Sequence, residues 1–227
     1  MAATLAASIL WVVVLTTASR YRRRHGDRRI AVYWWAMLLL AVAVTELIPA
    51  VYVATDHLLG LPNAARWIAN VLVLGSAYQV DAFFNALMRS RQEARRRERW
   101  LLGILGLALA AMAVLLWRAH LTTELPEFTP RQTNAALVGY RLVFLAFLSF
   151  IVGRLIQAAN HYRRASTVRT IQVGMTLTII GAFWVLGYMV TAFGVVLAPP
   201  LVGTWIQLAL QLCSVLAVLF VAVGSTW

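Results

Sequence analysis

The chain has 227 residues, of which 62% are hydrophobic and only 12% charged, with a mean hydropathy of +0.77. Soluble domains carry about 25% charged residues, so there are too few ionisable side chains here to coat a soluble globule, and the bilayer is the relevant solvent. The charge is lopsided: Lys+Arg 20 against Asp+Glu 8 leaves a net +12, and every cation is arginine. Without lysine, a retinal Schiff base and pyridoxal-phosphate chemistry are excluded. The single Cys213 excludes an internal disulfide, a cysteine-based zinc site and c-type haem attachment.

Crossing about 30 Å of hydrocarbon takes about 20 apolar residues, and seven such runs lie along the chain. The first, 2–19, opens the sequence, and Arg20, Arg22, Arg23, Arg24, Arg28 and Arg29 follow it or precede the next run. A signal peptide has its positive charge ahead of the apolar run, so this segment reads as an N-out anchor. The second, 30–54, carries Glu46 and Pro49 and ends in the tight connection DHLLGLPN. Pro49 removes a backbone donor and is expected to break or kink the helix there. The third, 64–88, places Asn70, Ala77, Asp81 and Asn85 on one face. Arg89, Arg91, Arg95, Arg96, Arg97 and Arg99 come next, around the start of the fourth run, 100–119.

After the longest connection, Arg118 to Thr133, the fifth run covers 134–158 and contains Arg141. Arg154, Arg163, Arg164 and Arg169 surround the turn that follows. The sixth, 170–193, has the glycine series Gly174, Gly181, Gly187 and Gly194, a pattern expected of close helix approach. The seventh, 201–223, aligns Thr204, Gln207, Gln211 and Ser214 on one face. Sixteen of the twenty arginines lie in alternate connections, and only Arg66, Arg118 and Arg131 lie in the others. Positive residues in short loops stay cytoplasmic. The expected fold is therefore an all-α seven-transmembrane-helix bundle, one domain over 1–227, with the N-terminus outside and the C-terminus cytoplasmic.

Ionisable groups at membrane depth are expensive and are functional candidates by default. Glu46, Asp81 and Arg141 qualify. Glu46 and Arg141 lie at a similar depth and are expected to form an ion pair linking spans two and five; the cationic neighbours of Asp81 by depth are Arg89 and Arg154. With Asn85, Gln207 and Gln211, these residues make the candidate intramembrane polar site. They line a hydrated cavity or hydrogen-bond between packed helices, and either arrangement uses the same residue types. Trp34, Trp35, Trp67, Trp100, Trp117 and Trp205 sit near span ends as interfacial anchors. His25, His57, His120 and His161 fall in or beside loops, so neither an intramembrane haem nor a metal site is expected. A phosphate-binding glycine loop, a nucleophile elbow and an HExxH motif are all lacking. No catalytic chemistry, cofactor or nucleic-acid partner is therefore expected.

A faint internal echo pairs YVAT, with Tyr52 and Thr55, with YMVT, with Tyr188 and Thr191. The stretch IPAVYVATDHLLGLPNAARWIANVLVL resembles part of an actinobacterial family of seven-span integral membrane proteins labelled as transporters. The family pattern is a Pro-Ala-Val span end, an acidic residue, a Leu-Gly-Val turn and a helix entering the membrane; here these become Pro49, Ala50, Val51, Asp56, Leu59, Gly60 and Leu61. LVGYRLVFLAFLSF resembles the family's fifth span. The likeness is loose along the chain and covers the membrane part, without the C-terminal cytoplasmic domain of longer members. Where those members carry a basic residue and a histidine early in span three, this sequence has Ala69 and Asn70. The resemblance implies a multi-pass plasma-membrane protein. Two functional expectations follow: a carrier or channel for a small solute, or a sensory or scaffolding module whose arginine loops dock a protein partner or anionic lipid headgroups.

Overall fold

A computed structural model describes residues 2–23, 28–88, 91–119 and 134–197, together with Leu210, Leu212, Cys213, Leu216 and Phe220. The described residues form helices α1 (Ala2–Arg23), α2 (Arg28–Glu46), α3 (Pro49–Leu59), α4 (Ala64–Met88), α5 (Arg91–Arg118), α6 (Ala135–Ala165) and α7 (Arg169–Leu197). Helix is the expected answer to this sequence: in hydrocarbon every backbone N–H and C=O needs a partner within its own segment. Four of these helices, α4 to α7, are long and apolar enough to cross a membrane. Large apolar side chains stand on their outer surfaces, Leu107 at 72% exposure and Trp117 at 78% among them. Water would make that surface costly and acyl chains make it favourable; the protein is a helical membrane protein.

The second predicted span is not one continuous helix. Residues 30–54 divide into α2 and α3, which meet at 90°. Pro49 stands at the first turn of α3, where its missing N–H costs nothing and its fixed φ suits the helix. The Leu47 and Ile48 N–H groups turn back onto the carbonyls of Val44 and Thr45. The apolar stretch of α1, Ala3–Ser19, is shorter than the four long spans. The predicted span 201–223 lies outside the described residues apart from the five positions named above, and so does most of the 118–133 connection.

Helix α4 is the hub, packing against α2, α3, α5 and α6, while α1 packs on α2 and α7 on α6. The main core joins α4, α5, α6 and α7 through Leu74, Leu101, Met112, Ile151 and Met189. A second, smaller core holds α1 to α2 through Leu10, Val14, Met37 and Ala41. Two glycines face a neighbouring helix at ordinary contact distance. A Cβ on Gly139 would stand 3.4 Å from Leu115 across α5–α6, and one on Gly75 would stand 3.7 Å from Leu39 across α2–α4. In the glycine series of α7, open space lies beside Gly194, and at Gly187 a Cβ would meet Cys213 Sγ at 3.8 Å, again ordinary contact. The echoed tetrapeptides also part company, since YVAT lies on short α3 and YMVT within unbroken α7.

Candidate functional site

Two polar stations tie other helices to α4. The first is built on Asp81, which is 4% exposed. Its carboxylate accepts two hydrogen bonds from the Arg154 guanidinium of α6, Nε to Oδ1 at 2.8 Å and Nη2 to Oδ2 at 3.0 Å. Asn85, one turn further along α4, donates to Oδ2 at 2.5 Å. Three donors thus converge on the two oxygens, the fork geometry that makes an arginine–carboxylate pair strong. Arg154 is steadied from its other side by the Phe150 ring, 5.7 Å from its Cζ, and Phe150 in turn meets Trp100 of α5 edge-on at 6.3 Å. Of the two cations expected near Asp81, Arg154 engages it; Arg89 lies outside the described residues.

The second station sits at the α3–α4 turn. Asp56, 2% exposed, accepts from the backbone N–H of Asn63 at 2.6 Å and of Ala65 at 2.8 Å. Those N–H groups belong to the turn entering α4, where helix donors lack intrahelical acceptors and the helix dipole favours a negative charge. The turn is shaped by two residues of positive φ, Gly60 at 64° and Asn63 at 67°. Asparagine tolerates this left-handed conformation better than most residues. The Tyr52 hydroxyl donates to Asn63 Oδ1 at 2.8 Å, and Arg66 lies over the Tyr52 ring at 5.8 Å. Slightly deeper, the Asn70 amide donates to the Tyr140 hydroxyl of α6 at 2.7 Å.

The face of α4 that carries Asn70, Asp81 and Asn85 is accordingly turned to α6, with its polar groups spent on hydrogen bonds inside the bundle. Helices α4 and α6 run parallel here, so the Asn70–Tyr140 and Asp81–Arg154 links pin them at two heights. Eleven residues along α4 separate the two links, about 16 Å. Ser76 adds a third tie on another face, donating to the Ala36 carbonyl of α2 at 2.8 Å.

The expected Glu46–Arg141 pair does not form. Helix α4 stands between α2 and α6, whose backbones do not come close among the described residues. The Glu46 carboxylate instead accepts from Thr55 Oγ1 at 2.9 Å, closing the bend between α2 and α3. The expectation rests on position along each apolar run, which ignores which helices are neighbours. Arg141 lies within electrostatic reach of Arg66 and Tyr188. Gln207 and Gln211 lie outside the described residues. A small cavity between α2, α4, α6 and α7 is lined by Tyr33, Met37, Val80, Phe83, Leu155 and Thr178 among others and is almost wholly apolar; neither Glu46 nor Asp81 borders it.

Asp56, Asn63 and Tyr140 were not among the sequence candidates as functional side chains. The local signal was present for two of them: an aspartate and an asparagine flanking a Gly-Leu-Pro turn are capping residues by type. Tyr140 had no such signal, because only packing tells which hydroxyl meets Asn70. Comparison with protein-family models, with curated proteins and with solved structures finds no match for this chain.

Proposed function

We propose that this protein is a non-enzymatic plasma-membrane module, N-out and C-in, in which buried polar links set the helix packing and the arginine-rich cytoplasmic end docks anionic headgroups. The observation that carries this reading is the engagement of Asp81. Its carboxylate receives two guanidinium donors of Arg154 and the Asn85 amide, so both oxygens are committed to packing, and loading a proton there would break a buried pair. At the same end of the bundle, the first turns of α5 present Arg95, Arg96, Arg97 and Arg99 to the outside, with Trp100 exposed beside them. Each such cation contributes about 1 kcal/mol near an anionic leaflet.

The test is reconstitution into liposomes with a pH-sensitive dye inside. The expected result is no proton flux that depends on Asp81, with the wild type and Asp81→Asn giving the same trace. A flux abolished by Asp81→Asn overturns the module reading in favour of coupled transport.

A second reading, a carrier or channel for a small solute, draws on the α2–α3 bend. A charged residue beside a broken helix is how many transporters build a substrate or ion site, and Glu46 is the last residue of α2. Flux of small solutes that falls on Glu46→Gln and survives Asp81→Asn would favour it.

A further inference from the structure

Helix α3 has an unusual distribution of side chains. Its inward face is polar: Asp56 caps α4, Tyr52 bonds Asn63, and Thr55 bonds Glu46. Its outward face is mostly apolar, with Ala50, Ala54, Leu58 and Leu59 exposed and His57 among them, and Leu61 continues it in the turn. Leu58 is 87% exposed and Leu61 62%. A surface helix in water has the opposite arrangement. Here the polar groups have found protein partners, while the hydrocarbon groups face outward.

The orientation of α3 limits what can cover that face. Helix α2 packs along the hub helix α4, which crosses the membrane, and α3 is bent 90° from α2. A helix perpendicular to the spans lies in the plane of the bilayer. With 11 residues it is about 16 Å long, too short to return through the hydrocarbon. Its left-handed Gly60 cap turns the chain directly into α4, whose first turns hold Arg66.

We infer that α3 is an interfacial helix, lying flat in one leaflet with Leu58 and Leu61 seated among the acyl chains just beneath the phospholipid headgroups. The inference rests on the protein being embedded in a bilayer, which a control position tests separately. The depth expected for such a helix is about 5–10 Å below the headgroup plane. Through Asp56, Tyr52 and Thr55, α3 then links that leaflet to the start of α4 and the end of α2.

Site-directed spin labelling of the full chain in phospholipid vesicles tests this. Cys213 is the only cysteine, so a Cys213→Ala background accepts single labels at Leu58→Cys and, on the same face, Ala54→Cys. Two exposed positions on α5 calibrate depth: Leu107→Cys at mid-helix and Arg96→Cys at the arginine-rich end. Collision with oxygen against a water-soluble nickel chelate should place the α3 labels between these two, about 5–10 Å deep. Labels at positions 54 and 58 that collide with nickel as freely as the one at 96 overturn the inference, as does a depth equal to that of 107, which would make α3 re-entrant. Labels shielded from both reagents also overturn it, since a second protein copy would then cover the face. A label at 107 that reads as aqueous refutes bilayer embedding itself.

Discussion

Asp56 and Asp81 are almost equally buried, at 2% and 4% exposure, yet they are held by different kinds of partner. Asp56 is satisfied within nine residues of chain, by backbone N–H groups at the entrance to α4. Asp81 is satisfied by a guanidinium 73 residues away on α6. The first arrangement stabilises one turn; the second fixes which helices are neighbours and in what register. A carboxylate in a dry interior needs donors of either kind, and the donor type decides whether the residue has a local or a global role.

The sharpest way to break this comparison is to remove one half of the global pair. Arg154→Met leaves the Asp81 carboxylate buried without its fork and should cost about 3 kcal/mol of unfolding free energy, the lower end of the range for such pairs because the arginine is 21% exposed. Unfolding in mixed micelles measures it. The double variant Asp81→Leu with Arg154→Met should recover most of the loss; no recovery would mean that the residues act separately.

The local aspartate should be less costly. Asp56→Ala strands two N–H groups at the α4 entrance and should cost about 2 kcal/mol, whereas Asp56→Asn keeps one acceptor oxygen and should lose about half that. The same unfolding measurement applies, and hydrogen exchange should rise at both Asn63 and Ala65 in Asp56→Ala but at only one of them in Asp56→Asn. An Asp56→Ala loss as large as that of Arg154→Met would erase the distinction between the two aspartates.

Smaller still is the neutral link at the other height of α4–α6. Tyr140→Phe and Asn70→Ala should couple in a double-mutant cycle by about 0.6 kcal/mol, typical of hydrogen bonds between membrane helices. Last comes the bend itself. Pro49→Ala should cost only about 0.5 kcal/mol, chiefly through greater freedom of the unfolded chain, because Glu46–Thr55 and the docking of α3 on α4 hold the angle. If α3 straightens onto α2 in that variant, the spin label at position 58 should lose its interfacial depth.

Much of the frame was legible in residues taken singly. The apolar runs became α1, α2 and α4 to α7, and Pro49 marked the place where a predicted span stops being straight. The stripe of Asn70, Asp81 and Asn85 was visible from spacing, and Arg154 was one of two cations at the right depth for Asp81. What spacing lacked was azimuth. Glu46 and Arg141 hold similar positions along their apolar runs yet face different neighbours, because α4 comes between their helices. The glycine series suggested a close approach in α7, while Gly194 faces open space and Gly187, like Gly139 between α5 and α6, stands at ordinary contact distance from its neighbour.

By itself the sequence determined that this is a helical membrane protein and which segments are apolar, because the cost of leaving backbone groups unpaired in lipid leaves few options once the hydrophobic runs are known. Only the tertiary structure decided that one run divides into two helices at 90°, which cation meets Asp81, and that Glu46 closes a bend instead of pairing with Arg141. Those outcomes depend on lateral order and rotation about each helix axis. They are set by side-chain packing between segments far apart in the chain, on which hydropathy along a single segment carries no information.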